Sequence, residues 1–167
     1  MEPETSTAAA PRGHPARPFA LGLLLGFLAA LLAVGILMKP LMLTTHASPY
    51  GVEETCQRLK ASIEANGWRC PAIRDMNAAV EKEGLSMKVP VRIVELCKAD
   101  YAEDVLETDP EVSTLMPCAF GVYETGGRVH VTGLNTGLMG KLMGGNVARV
   151  MGGRVGPDEK KILECLN

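Results

Sequence analysis

Aromatic side chains are scarce in this 167-residue chain: three Phe, three Tyr and one Trp. Single-strand nucleic-acid surfaces interleave aromatics with basic residues, so a base-stacking platform is disfavoured. The net charge is −2, with no basic excess to hold a phosphate backbone, and no nucleic-acid partner is expected. Five cysteines (Cys56, Cys70, Cys97, Cys118, Cys165) include no C-x-x-C pair, which argues against a thioredoxin-like motif and a zinc ribbon. His14, His46 and His130 are scattered, without H-E-x-x-H. The glycines spell neither G-x-G-x-x-G nor a Walker loop, and no nucleophile elbow is present. No metal site is assigned on these patterns, no cofactor is named, and no reaction follows from them.

Charge is also missing from Phe19 to Met38, FALGLLLGFLAALLAVGILM, a run of 20 residues. At about 1.5 Å per residue such a helix spans about 30 Å, the hydrocarbon thickness of a bilayer. A core helix would show a polar face, and this one has none. A retained single-pass anchor is therefore expected. A cleaved signal peptide is the rival, with Thr45-His46-Ala47 as a loose cleavage site, but the run is longer than a usual signal core of about 7–15 residues. Arg12 and Arg17 precede the run and Lys39 follows it, which places the N-terminus in the cytoplasm and the domain outside. Gly22 and Gly26 form a GxxxG that would let two such helices approach closely; ordinary membrane-helix composition is the alternative. Residues 1–18, rich in Pro, Ala, Ser and Thr, read as a disordered tail.

Residues 41–167 carry alternating helix and strand signals. Met42–His46 is expected to be a short strand. Val52, Cys56, Leu59 and Ile63 give one helical face, stopped by Gly67. Trp68–Ile73 reads as an edge strand because of Pro71. Asp75 or Asn77 caps a short helix ending at Gly84. Val89–Cys97 is rich in β-branched residues and reads as a strand. Ala99–Thr108 follows as a helix with Tyr101, Ala102 and Val105 inward. Cys118–Glu124 and Arg128–Leu134 form a hairpin through Thr125-Gly126-Gly127. Asn135 or Thr136 then caps a helix with Leu138, Met139, Leu142, Met143, Val147, Val150 and Met151 on one face, ended by Gly152-Gly153. Gly156-Pro157-Asp158 begins a last helix. The fold class is α+β: a single small layered domain of about five strands with helices, preceded by one N-terminal transmembrane helix.

The helix ending "NGW", the strand "VRIVELC", the "MPC" and the hairpin "AFGVYETGGRVHV" resemble the domain of unknown function 302 family, in particular its membrane-anchored members. The resemblance covers Leu41 to Leu134. Where the family commonly has Cys-Asn-Pro, this chain has Cys97-Lys98-Ala99; where it has Leu-Pro-Cys, this chain has Met116-Pro117-Cys118. The resemblance implies the fold and brings no settled activity.

Cys97 and Cys118 each stand at a strand terminus. If the chain returns to one sheet edge, the two thiols meet and form a disulfide, bind a soft metal or carry sulfur. Two separate buried thiols are the alternative. Cys56 reads as an apolar filler, Cys70 lies on the edge strand, and Cys165 is near the C-terminus. The acidic run Asp100, Glu103, Asp104, Glu107, Asp109 and Glu111 reads as a solvated helix face. From Val52 to Glu124 there are 14 acidic and 8 basic residues; from Thr125 to Pro157 there are four basic residues and no acid.

That basic block contains a methionine-glycine-rich helix. Met139, Lys141, Leu142, Met143 and Arg149 are candidates for contact with membrane lipid or a partner; core packing is the alternative. Glycine weakens a helix by up to about 1 kcal/mol relative to alanine, so Gly140, Gly144 and Gly145 call for an offsetting close backbone approach or docking on lipid. Three functions follow in order: a membrane-anchored binding module acting through Cys97 and Cys118; a non-catalytic accessory subunit of a membrane protein complex, or a homo-oligomer; and an enzyme of thiol or sulfur chemistry.

Overall fold

The computed structural model describes residues 16–167, and for residues 16–20 and 39 it describes the backbone alone. Most of the expected tail, residues 1–15, lies outside the described residues. Two units are present, Met1–Met38 and Lys39–Asn167. In the first, helix α1 (Ala16–Met42) begins earlier than expected and continues beyond the unit. Its stretch Leu21–Met38 has a mean hydropathy of 2.7 with no residue buried, which is long and apolar enough to cross a membrane. A Cβ on Gly22 or Gly26 would meet nothing within 4 Å, so both present open helix surface.

The second unit is a five-stranded antiparallel sheet in the order β1-β5-β4-β3-β2. Its strands are β1 (Leu43–Ser48), β2 (Ile73–Asp75), β3 (Val91–Leu96), β4 (Cys118–Thr125) and β5 (Arg128–Leu134). Alternation decides which face is buried. Val94 and Leu96, Phe120 and Val122, and Val129 and Val131 point under the helices, while Tyr123 and His130 stack on the other face, their ring centroids 5.4 Å apart. Gly126 and Gly127 both have positive φ, which the two-residue hairpin turn requires. Gly133 lies opposite Phe120, and a Cβ there would come within 3.0 Å of the ring.

Helix α2 (Val52–Ala65) buries Thr55, Cys56, Leu59 and Ile63. It ends as expected at Gly67, φ +77, where Gly67 N–H donates to the Glu64 carbonyl and Trp68 N–H to the Ile63 carbonyl. This Schellman closure fixes where Trp68 leaves the helix. The strand expected over Trp68–Ile73 is shorter: β2 starts at Ile73, and Arg69 makes only an isolated bridge to Cys97. Pro71 has no N–H to continue the ladder between them. Helix α3 (Met76–Glu81) is capped by Asp75, which accepts from Ala78 N–H at 3.0 Å. Helix α4 (Ala99–Leu106) and a 3₁₀ turn (Pro110–Leu115) connect β3 to β4.

The methionine-glycine stretch departs from one continuous helix. Helix α5 (Thr136–Met143), capped by Asn135, stops at Gly144 and Gly145, whose φ of +73 and +52 are left-handed. Helix α6 (Gly145–Val147), a π-helical stretch (Ala148–Val155) and α7 (Gly156–Leu163) follow without a break, so Gly152 and Gly153 end nothing. Gly140 supplies the close approach: a Cβ there would lie 3.0 Å from Gly152 N and 3.1 Å from Ala148 Cα. The acidic run is also more than a solvated face. Asp104 binds Arg149 at 2.6 Å and Arg154 at 2.9 Å, joining α4 to the basic block.

Candidate functional site: a sulfur-lined cavity

Register places the two strand-end cysteines at the same end of the sheet. Leu96 pairs with Cys118 across β3 and β4, and Cys97 is the next residue along. Cys97 exchanges both backbone hydrogen bonds with Arg69, at 2.8 and 2.9 Å, which carries the adjacent Trp68 to the same end of the sheet. Both thiols are free and half-buried. They line one cavity of about 20 Å³, room for a single water or one ion. Two methionines line it as well: Met116, joined to Pro117 by a cis peptide bond, and Met151, in the π-helical stretch. Leu96, Val150 and Val155 complete an apolar wall.

Trp68, Lys98 and Tyr101 line the same cavity and belong to a polar cluster. Trp68 and Tyr101 meet edge to face at 5.5 Å. The Lys98 ammonium lies 4.2 Å from the Tyr101 ring centroid, and the Arg154 guanidinium lies 3.9 Å from it. One oxygen of Asp158 accepts from the Trp68 indole at 3.1 Å, the Tyr101 hydroxyl at 3.0 Å and the Lys98 ammonium at 3.5 Å. Burial alone would push the Asp158 carboxyl up, but these donors together hold it below the usual carboxylate range. Cys118 is the reverse case. Burial, then the charge of Glu159, then the neighbouring Cys97, push its thiol up to about 12. Without a ligand it is a neutral thiol and a poor nucleophile. Cys56, pushed up to about 11 mainly by burial, is the expected core filler.

Among the described residues no three His, Cys, Asp or Glu side chains gather as a metal site. The sulfur count reaches four only through Met116 and Met151, which sequence reading did not join to the cysteines. Met116 could have been found from its place beside Pro117-Cys118. Met151 read as one more residue of an apolar stripe.

The contact candidates on the methionine-glycine stretch separate. Leu142 is 67% exposed and Met143 42%, Lys141 is exposed, and Met139 is half-buried. Arg149 gives its guanidinium to Asp104 and Asn146, so it does not offer an unpaired charge to a lipid headgroup.

These features define an α+β domain with one helix-covered antiparallel sheet and a soft, water-sized cavity at the sheet's end. The chain belongs to the family described as domain of unknown function DUF302, whose model matches residues 44–162. An uncharacterized conserved DUF302 protein from Bacillus stearothermophilus, known from its crystal structure, is 22% identical. That match has a TM-score of 0.64 and covers 75% of this chain and 95% of that one, showing a shared fold. No curated protein matches the chain.

Proposed function

We propose that this chain is a membrane-anchored binding module that holds a soft metal ion, Cu(I), between Cys97 and Cys118. One observation carries the reading: Cys97, Cys118, Met116 and Met151 line a single cavity of about 20 Å³. Thiolate and thioether ligands select Cu(I) over hard cations. The ion would displace the thiol protons, including that of Cys118, so binding would release protons to solvent. Within the apolar wall Cu(I) offsets one of the two thiolate charges, which a bare thiolate pair would leave uncompensated. The apolar helix supports a retained anchor, and the basic residues flanking it support a domain outside the cytoplasm. Thiol catalysis is the weaker reading, because burial holds Cys118 protonated.

The test is anaerobic Cu(I) titration of the full chain in mild detergent against a competing bathocuproine chelator. One equivalent should pass to the protein with release of protons. Cys97→Ala and Cys118→Ala should each lose affinity by about 10–100-fold or more. Cu(I) that stays with the chelator, or Ala variants that bind like the parent, would overturn the reading.

A further inference from the structure

A second cleft, of about 290 Å³, opens among β1, the start of α5, and α7. Thr44 and His46 line it from β1, on the face paired with Gly133 and Val131. Thr136 lines it from α5, and Glu159 and Lys160 from α7. One Glu159 oxygen accepts from the Thr136 hydroxyl at 2.9 Å. The other has no hydrogen-bond partner among the described residues, and it is not sealed from solvent, so it is open to an incoming donor. Glu159 also has no ion-pair partner among the described side chains. Gly156 permits this arrangement, because a Cβ there would stand 3.3 Å from the Thr136 hydroxyl oxygen. Lys160 is exposed at the rim, also without an acidic partner among the described side chains.

The cleft therefore holds a partly desolvated carboxylate inside and a cation at its mouth. A carboxylate removed from water without a counter-ion is costly, and an ammonium supplies both charge and up to three N–H donors. We propose that this cleft binds a zwitterion, its primary ammonium seated against Glu159 and His46 and its anionic group at Lys160. An aminoalkyl phosphate meets both requirements. Two sources share that chemistry: a phosphoethanolamine lipid headgroup and a free aminoalkyl phosphate. Only the lipid source rests on the anchor proposed above, since Thr44 and His46 closely follow Met38 in the chain.

The experiment is titration calorimetry of the full chain in detergent with O-phosphoethanolamine. Phosphocholine, which lacks N–H donors, and ethyl phosphate, which lacks the cation, serve as comparators. Phosphoethanolamine should bind at least about tenfold more tightly than either at pH 8. Glu159→Gln should remove the preference. Lys160→Ala should weaken phosphoethanolamine but not ethanolamine. Cys97→Ala should change none of this, which separates the cleft from the sulfur cavity. Repeating the titration in phosphatidylethanolamine and phosphatidylcholine nanodiscs assigns the source: competition by the ethanolamine lipid marks the headgroup, and unchanged binding marks the free compound. Equal binding of phosphoethanolamine and phosphocholine, or binding indifferent to Glu159→Gln, overturns the proposal. So does absence of binding in both the soluble and the lipid arms.

Discussion

Glu159→Gln should stabilise the domain, and by an amount that depends on pH in one direction only. The carboxyl sits at about 7 in the folded chain against an ordinary 4.5, chiefly through burial. Below pH about 4.5 both folded and unfolded chains carry the proton, and the native protein has its full stability. Between about 4.5 and 7 the unfolded chain ionises first, so stability is lost as pH rises through that window; above it the loss levels off. At about 1.4 kcal/mol per pH decade the ceiling is about 3 kcal/mol. Glu159 lines an open cleft and is only half-buried, so screening by solvent brings the expected effect to about 1–2 kcal/mol. For a domain of this size that is about 4–7 °C in Tm. Glutamine keeps an oxygen for the Thr136 hydroxyl and never ionises. The assay is thermal unfolding of the full chain in detergent, followed by fluorescence of the one tryptophan, Trp68, which packs on Tyr101 inside the domain. The Gln variant should match the parent near pH 4.5 and gain steadily to a plateau above about pH 7.5. A gap that is constant with pH, or a less stable variant at pH 8, would refute the desolvation assigned to this carboxylate.

Two further outcomes test packing and surface. Gly140→Ala should destabilise by about 1–3 kcal/mol, because its Cβ would press on the backbone of Ala148 and Gly152. Gly137→Ala, whose Cβ would meet only Asn135 Oδ1 at 3.6 Å, should be neutral or slightly stabilising; equal effects in chemical denaturation would discount the close crossing. If the exposed tip of α5 touches lipid, replacing Leu142 and Met143 together with Glu should reduce liposome binding of the anchor-deleted domain by more than about tenfold, since each side chain buries about 1.5–3 kcal/mol of apolar surface. Binding that survives the double replacement would remove that tip from the contact.

Local patterns made the sheet and most helices legible. Val91–Leu96 and Arg128–Leu134 alternate or cluster β-branched residues, and Gly126-Gly127 leaves little choice of turn. The strand-end placement of Cys97 and Cys118 was readable locally; that both line one cavity depends on the β3–β4 register, which no single window contains. The rest depends on long-range pairing that no window contains. Trp68, Tyr101 and Asp158 meet around one carboxylate oxygen although 90 residues separate the first from the last. Glu159 reads in sequence as an ordinary acid in a first helical turn, and its burial follows from where α7 lands. Glycines were legible as costs but not by role. Gly140 admits a neighbouring backbone, Gly144 and Gly145 reverse the chain's twist, and Gly152 and Gly153 sit inside a helical run. Arg149 looked available to lipid because its partner, Asp104, is 45 residues away.

Strand β1 has a consequence for biogenesis. It is the earliest strand to leave the ribosome, yet its partner is β5, with Leu43 matched to Leu134. The β4–β5 hairpin closes locally, whereas β1 must wait until nearly the whole chain has been translated. During that interval the nascent chain carries an open β-edge just behind its apolar segment, a template for misassembly. Slowing elongation before Leu134 should lengthen the exposure, and holdase demand should rise with it.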